Sequence, residues 1–117
     1  MFRFVITGKD ARGAEHSYED YVEFKKGSYS RVGDYAWMIC TVTGIPEGTY
    51  TISEKETLRY RFKSLMAGTE NVTVSGKSGT AVLERKNLNA SVVFENEKTR
   101  FDGYSHTDVI RNVVPLQ

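Results

Sequence analysis

A chain of 117 residues with 16 Lys plus Arg against 15 Asp plus Glu has room for one domain, and its net charge of +1 gives no field for nucleic acid or for a cationic partner. A hydrophobic fraction of 39% with 12% aromatics builds one core and is too rich for a disordered tail. The single cysteine, Cys40, excludes an internal disulfide and a cysteine zinc cluster and reads as a small buried hydrophobe.

In chain order, Phe2, Phe4 and Ile6 alternate with Arg3, Val5 and Thr7, so residues 2 to 7 read as a strand. The glycine-flanked polar run 8 to 13 is a turn. Residues 15 to 25 are mixed, with Tyr18, Tyr21, Val22 and Phe24 fitting either a strand or a short helical turn. Lys26-Gly27 and Gly33-Asp34 mark turns. Residues 35 to 43 form the most apolar stretch; short length and Thr and Val content favour a buried strand. Gly44-Ile45-Pro46-Glu47-Gly48 is a turn in which Pro presets φ and Gly frees it. Alternation resumes over 49 to 54 and again over 58 to 63, where Leu58, Tyr60 and Phe62 oppose Arg59, Arg61 and Lys63. Strands follow at 71 to 75, 79 to 85 and 90 to 97, with a hairpin turn at Gly76-Lys77-Ser78-Gly79. Residues 108 to 114 are expected to add an edge strand. Seven or eight short strands without a long helical period predict an all-β sandwich, immunoglobulin-like or prealbumin-like, as a single domain over 1 to 117.

Generic site chemistry is sparse. His16 and His106 have no metal-ligand spacing, and Ser105, His106 and Asp108 are too close along one segment to assemble a triad. The basic residues Arg59, Arg61 and Lys63 read as a solvated strand face. Asn71 and Asn89 match the short glycosylation acceptor pattern. Asp20 with Glu23, or Glu54 with Glu56, are acidic pairs without a cleft to define them. No phosphate loop, dinucleotide fingerprint or calcium loop is present, so the chain is expected to be neither an enzyme nor a cofactor binder. No stretch approaches the roughly 20 apolar residues of a membrane helix, and Met1 runs directly into a strand pattern with no signal peptide in view.

Two polar residues stand on apolar faces. Tyr50, Ile52 and Glu54 share one face of their strand; Val92, Phe94 and Asn96 share a face of theirs. If both faces point inward, a carboxyl and a carboxamide meet the core. An isolated carboxyl there takes up a proton, because burial disfavours its charged form.

The run Gly44-Ile45-Pro46-Glu47-Gly48-Thr49-Tyr50-Thr51-Ile52-Ser53-Glu54 resembles the G-x-P-x-G-x-Y-x-x-x-E signature of collagen-adhesin B-type (Cna-B-like) domains. Ser91 to Lys98 resembles their closing V-x-F-x-N strand, and Phe2 to Asp10 their F-x-F-x-x-x-G-x-D strand and turn. The three motifs occur in the family's order over residues 2 to 98, leaving 99 to 117 as a C-terminal extension. The resemblance implies a structural stalk or spacer module of a Gram-positive surface adhesin or pilin, extracellular, with signal and anchor outside this chain. Its partners would be neighbouring domains or subunits. The alternative is a module that binds a host protein or glycan through Tyr18, Tyr21, Tyr29 and Tyr35.

In such domains a lysine on the first strand condenses with an Asn or Asp on the last strand, assisted by a buried Glu. By motif, Glu54 is the assisting acid and Asn96 the acceptor. The lysine is unknown. Lys9, Lys25 and Lys26 do not match the family's position, so the first strand is cut off, the bond never forms, or another lysine serves. A missing first strand would leave an open edge beside residues 2 to 7, ready to dock a strand.

Overall fold

In the computed structural model, residues 1–33, 35–57, 60–98 and 109–117 are described, without the Lys98 side chain. Leu58, Arg59, Asp34, Ser105, His106 and Asp108, singled out above, lie outside the described residues.

Alternation becomes strand along most of the chain: β1 (Phe2–Asp10), β2 (Glu15–Val22), β3 (Ser30–Val32), β4 (Tyr35–Ile39), β5 (Gly48–Glu54), β6 (Tyr60–Ala67), β7 (Val72–Ser75), β8 (Ser78–Leu83), β9 (Ala90–Lys98) and β10 (Val109–Leu116). They form two five-stranded sheets, ordered β2-β1-β5-β8-β7 and β3-β4-β10-β9-β6. The all-β sandwich is as expected; the ten strands among the described residues exceed the seven or eight read from the pattern. The additions have physical reasons. The mixed segment after residue 15 alternates by the pleat of a strand, and its inward residues are only half-buried because β2 lies at the sheet edge. β3 is three exposed residues held by pairing with β4, which hydropathy cannot signal.

One position differs from expectation. Residues 109 to 116 form an interior strand, where an edge strand was expected: β10 runs parallel to β4 and antiparallel to β9. Its inward residues Ile110, Asn112, Val114 and Leu116 are all sealed from solvent. The expected open edge beside the first strand is absent as well, because β1 is paired on both sides, with β2 and β5.

The core is where the inner faces meet. Phe4 on β1 packs on Phe94 on β9 with ring centroids 5.4 Å apart, and Phe2 on Tyr60 of β6 at 4.9 Å. Tilted aromatic pairs of this kind stabilise by about 0.5–1.5 kcal/mol beyond the area they bury. Tyr50, fully buried, donates its hydroxyl to the Pro46 carbonyl at 2.9 Å, pinning the turn that precedes β5. Cys40 is buried as expected, and desolvation pushes its thiol up to about 11.

Strand direction sets where the ends lie. Phe4 pairs with Glu54, and Asn96 sits beside Glu54, so β1 begins at the Glu54 end of the sandwich. Leu116 pairs with Ala90, at the opposite end of β9 from Asn96. β1 therefore starts at one end of the strands and β10 finishes at the other.

Candidate functional site: a half-buried carboxyl beside two buried carboxamides

Glu54 closes β5, and the pleat that sends Tyr50 and Ile52 inward sends its carboxyl inward too. On the facing sheet, Val92 and Phe94 are fully buried and Asn96 nearly so. Asn96 Nδ2 donates to Glu54 Oε2 at 2.8 Å. The carboxyl and carboxamide read from the two motifs thus meet across the sandwich.

A third residue joins them that sequence reasoning missed. Asn112 on β10 is fully buried, and its Nδ2 donates to the same Glu54 Oε2 at 3.3 Å. An Asn at the inward position of Ile110-x-Asn112-x-Val114-x-Leu116 was the available signal, because a carboxamide there must find a partner. Burial pushes the Glu54 carboxyl up to about 7, even though both amide bonds favour the ionised form. The cluster joins sheet to sheet, β5 on one side and β9 and β10 on the other.

A cavity of about 310 Å³ opens against this cluster, lined by Glu54, Asn96, Thr57, Tyr60, Phe62 and Lys77, among others. Lys77 Nζ lies 5.7 Å from the Phe62 ring centroid, and Lys55, also on the lining, pairs with Glu19 at 3.2 Å. No hydrogen bond or ion pair joins Glu54 to a lysine among the described residues. Lys9 sits on β1 opposite Thr49, five positions from Phe4 and so roughly 17 Å along the strand from Glu54. Lys25 pairs with Glu23 at 3.8 Å, beyond the end of β2, and Lys26 follows it into solvent.

The remaining candidates are dispersed. His16 Nε2 lies 2.8 Å from Asp10 Oδ2, whose Oδ1 accepts the N–H groups of Arg12 and Ala14, so this pair clasps the β1–β2 turn. Arg61 and Lys63 pair with Glu97, Lys63 also with Glu95. Asn71 Nδ2 donates to the carbonyls of Val82 and Asn89. Asp20 accepts the Tyr21 N–H, and Glu56 is exposed. No group of three His, Cys, Asp or Glu is arranged to hold a metal among the described residues. The tyrosines form no shared platform: Tyr29 stacks on Phe24 at 4.5 Å, Tyr18 on His16 at 6.1 Å, and Arg111 lies 3.9 Å from the Tyr35 ring centroid. Tyr21 stands exposed on β2.

The fold and site define an all-β sandwich with an acid–carboxamide cluster between its sheets, the two carboxamides buried and the carboxyl half-buried at the edge of the cavity. No protein-family model, curated protein or solved structure matches the chain.

Proposed function

We propose that the chain is a structural spacer module, a stalk segment of a bacterial cell-surface adhesin or pilus protein of the Cna-B-like kind its motifs resemble. The observation that carries this reading is the placement of the two ends. The chain enters at the Glu54 end of β1 in one sheet and leaves at the far end of β10 in the other. A module built so passes tension lengthwise and loads the contact between the sheets in shear. Glu54, Asn96 and Asn112 are the polar tie across that contact.

The contact between Glu54 and Asn96 supports the resemblance. An acid touching a carboxamide in a desolvated place is the assisting-acid and acceptor half of an isopeptide site. The amine half has no counterpart among the described lysines, and in this reading the chain is held by packing and hydrogen bonds alone. Neighbouring modules of the same surface protein are its partners. The alternative, a module that binds a host protein or glycan, draws less support because Tyr18, Tyr29 and Tyr35 each pack on a different neighbour.

Pulling tandem copies from their ends tests the proposal. The expected trace has one cooperative unfolding event per copy, at a force that drops when Glu54→Ala cuts the tie. Gradual extension without discrete events overturns the spacer reading.

A further inference from the structure

The hydrogen bonding around Glu54 does not close while its carboxyl is ionised. Its Oε2 accepts from both Asn96 and Asn112. Asn112 is fully buried, yet its own Oδ1, buried too, has no donor. Leaving a buried carbonyl unpaired carries the whole desolvation penalty of that group. A carboxylate has only acceptors and cannot relieve it.

A carboxylic acid can. An acid and a primary carboxamide placed together are complementary: the amide N–H donates to the acid's carbonyl oxygen, and the acid's O–H donates to the amide's carbonyl oxygen. Half of that ring is already present in the 3.3 Å bond from Asn112 Nδ2. The atom left over, Asn112 Oδ1, is the acceptor that the other half requires.

We propose that Glu54 is a proton-operated tie between the two sheets. With its proton, it closes a two-bond ring with Asn112 on β10 while still accepting from Asn96 on β9. Without the proton, the bond to Asn112 Oδ1 is lost and that oxygen stays unpaired between the sheets. Asn112 is then a positioning residue for the tie, and the strength with which β10 is held to the opposite sheet follows ambient pH.

The surroundings fit a carboxyl that exchanges its proton near neutrality. Chain-adjacent Lys55 and Glu56 lie beyond the end of β5, and Lys55 is paired with Glu19. From β6 come Tyr60 and Arg61, the latter paired with Glu97 at 2.9 Å. Lys77 comes from the β7–β8 turn and lies over Phe62. β1 presents Phe4 opposite Glu54, while β9 and β10 turn uncharged Asn96 and Asn112 towards it. The cations border the cavity and form no ion pair with Glu54 among the described contacts. Burial therefore outweighs the rest and brings the carboxyl to about 7. A folded value above the ordinary 4.5 means that the proton stabilises the folded form. That contribution is complete below about 4.5 and is lost as pH rises through about 7.

The test follows the Glu54 carboxyl carbon and the Asn112 side-chain NH2 by NMR from about pH 5 to about pH 9, with urea unfolding over the same span. The expected result is one shared midpoint near 7 for both side chains, and a urea midpoint that falls across that range. Glu54→Gln keeps both halves of the ring without a titrating proton. Its urea midpoint should be flat with pH and exceed that of the wild type above neutrality. Asn112 signals that stay fixed while Glu54 titrates would overturn the proposal. So would a Glu54 midpoint near 4.5, or a Glu54→Gln variant with the wild-type pH slope. If Glu54→Gln does not fold, the shared midpoint in the wild type decides alone. The spacer reading stands or falls separately, on the pulling experiment.

Discussion

Phe4 and Glu54 are partners across the β1–β5 ladder, and both side chains reach β9: the ring meets Phe94 at 5.4 Å and the carboxyl meets Asn96 at 2.8 Å. One level of the sandwich thus holds an aromatic contact and a polar contact side by side. Partial burial at this level raises the carboxyl's proton affinity.

Phe94→Ala removes a fully buried ring from the centre of this level. The expected loss is about 3–5 kcal/mol of unfolding free energy, measured by urea denaturation. A smaller companion effect is a lower Glu54 proton affinity, as water enters the space left by the ring. A loss below about 1 kcal/mol would mean that the two sheets do not pack as described.

Asn112→Lys puts an amine on the strand beside Asn96 and within the reach of Glu54. If the cluster is competent for condensation, the lysine nitrogen attacks Asn96 Cγ, an amide bond forms and ammonia leaves. Intact mass spectrometry should then show one ammonia less than calculated, and adding Glu54→Ala should restore the calculated mass. The unaltered chain should show the calculated mass throughout. An unchanged mass in Asn112→Lys would reduce the Glu54–Asn96 contact to a structural hydrogen bond.

Gly8→Ala should destabilise the first sheet. A Cβ at Gly8 collides with the Thr49 backbone carbonyl across the β1–β5 ladder, and backbone there has no room to yield. The expected cost is about 1–3 kcal/mol, read as a lower thermal midpoint with unchanged ligand-free circular dichroism.

Asp10→Asn should loosen the β1–β2 turn without touching the core. The His16 side chain, and then the Ala14 N–H, hold the Asp10 carboxyl below its ordinary 3.8. Its contribution is therefore present above 3.8 and is lost as pH falls through the lower folded value. Faster amide exchange at Arg12 and Ala14 in Asp10→Asn at neutral pH is the expected outcome. The difference from wild type should vanish in strong acid.

The strands that alternate cleanly were legible because a single buried face leaves a period of two. β1, β5 and β9 are of this kind, and their inward positions led directly to Glu54 and Asn96. Asn112 was not legible in the same way. β10 alternates from Ile110 onward, but Val109 beside Ile110 and Val113 beside Val114 put apolar residues on both faces of the sequence, so the pattern alone does not say that Asn112 faces the core. Its parallel pairing with β4, some seventy positions away, has no local signature. β3 was invisible because its residues are exposed and depend on β4 for their conformation. The ion pairs of Arg61 and Lys63 depend on register with β9, which the strand's own composition does not encode.

The interior placement of β10 bears on how the chain comes to be folded. β4 and β9 are neighbours only through β10. Until residues 109 to 116 have left the ribosome, the second sheet is two separate ribbons, each with a bare backbone edge and a greasy inner surface. Assembly of this half must wait for translation to pass β10. During that interval those open edges are free to pair with nascent chains on the same message.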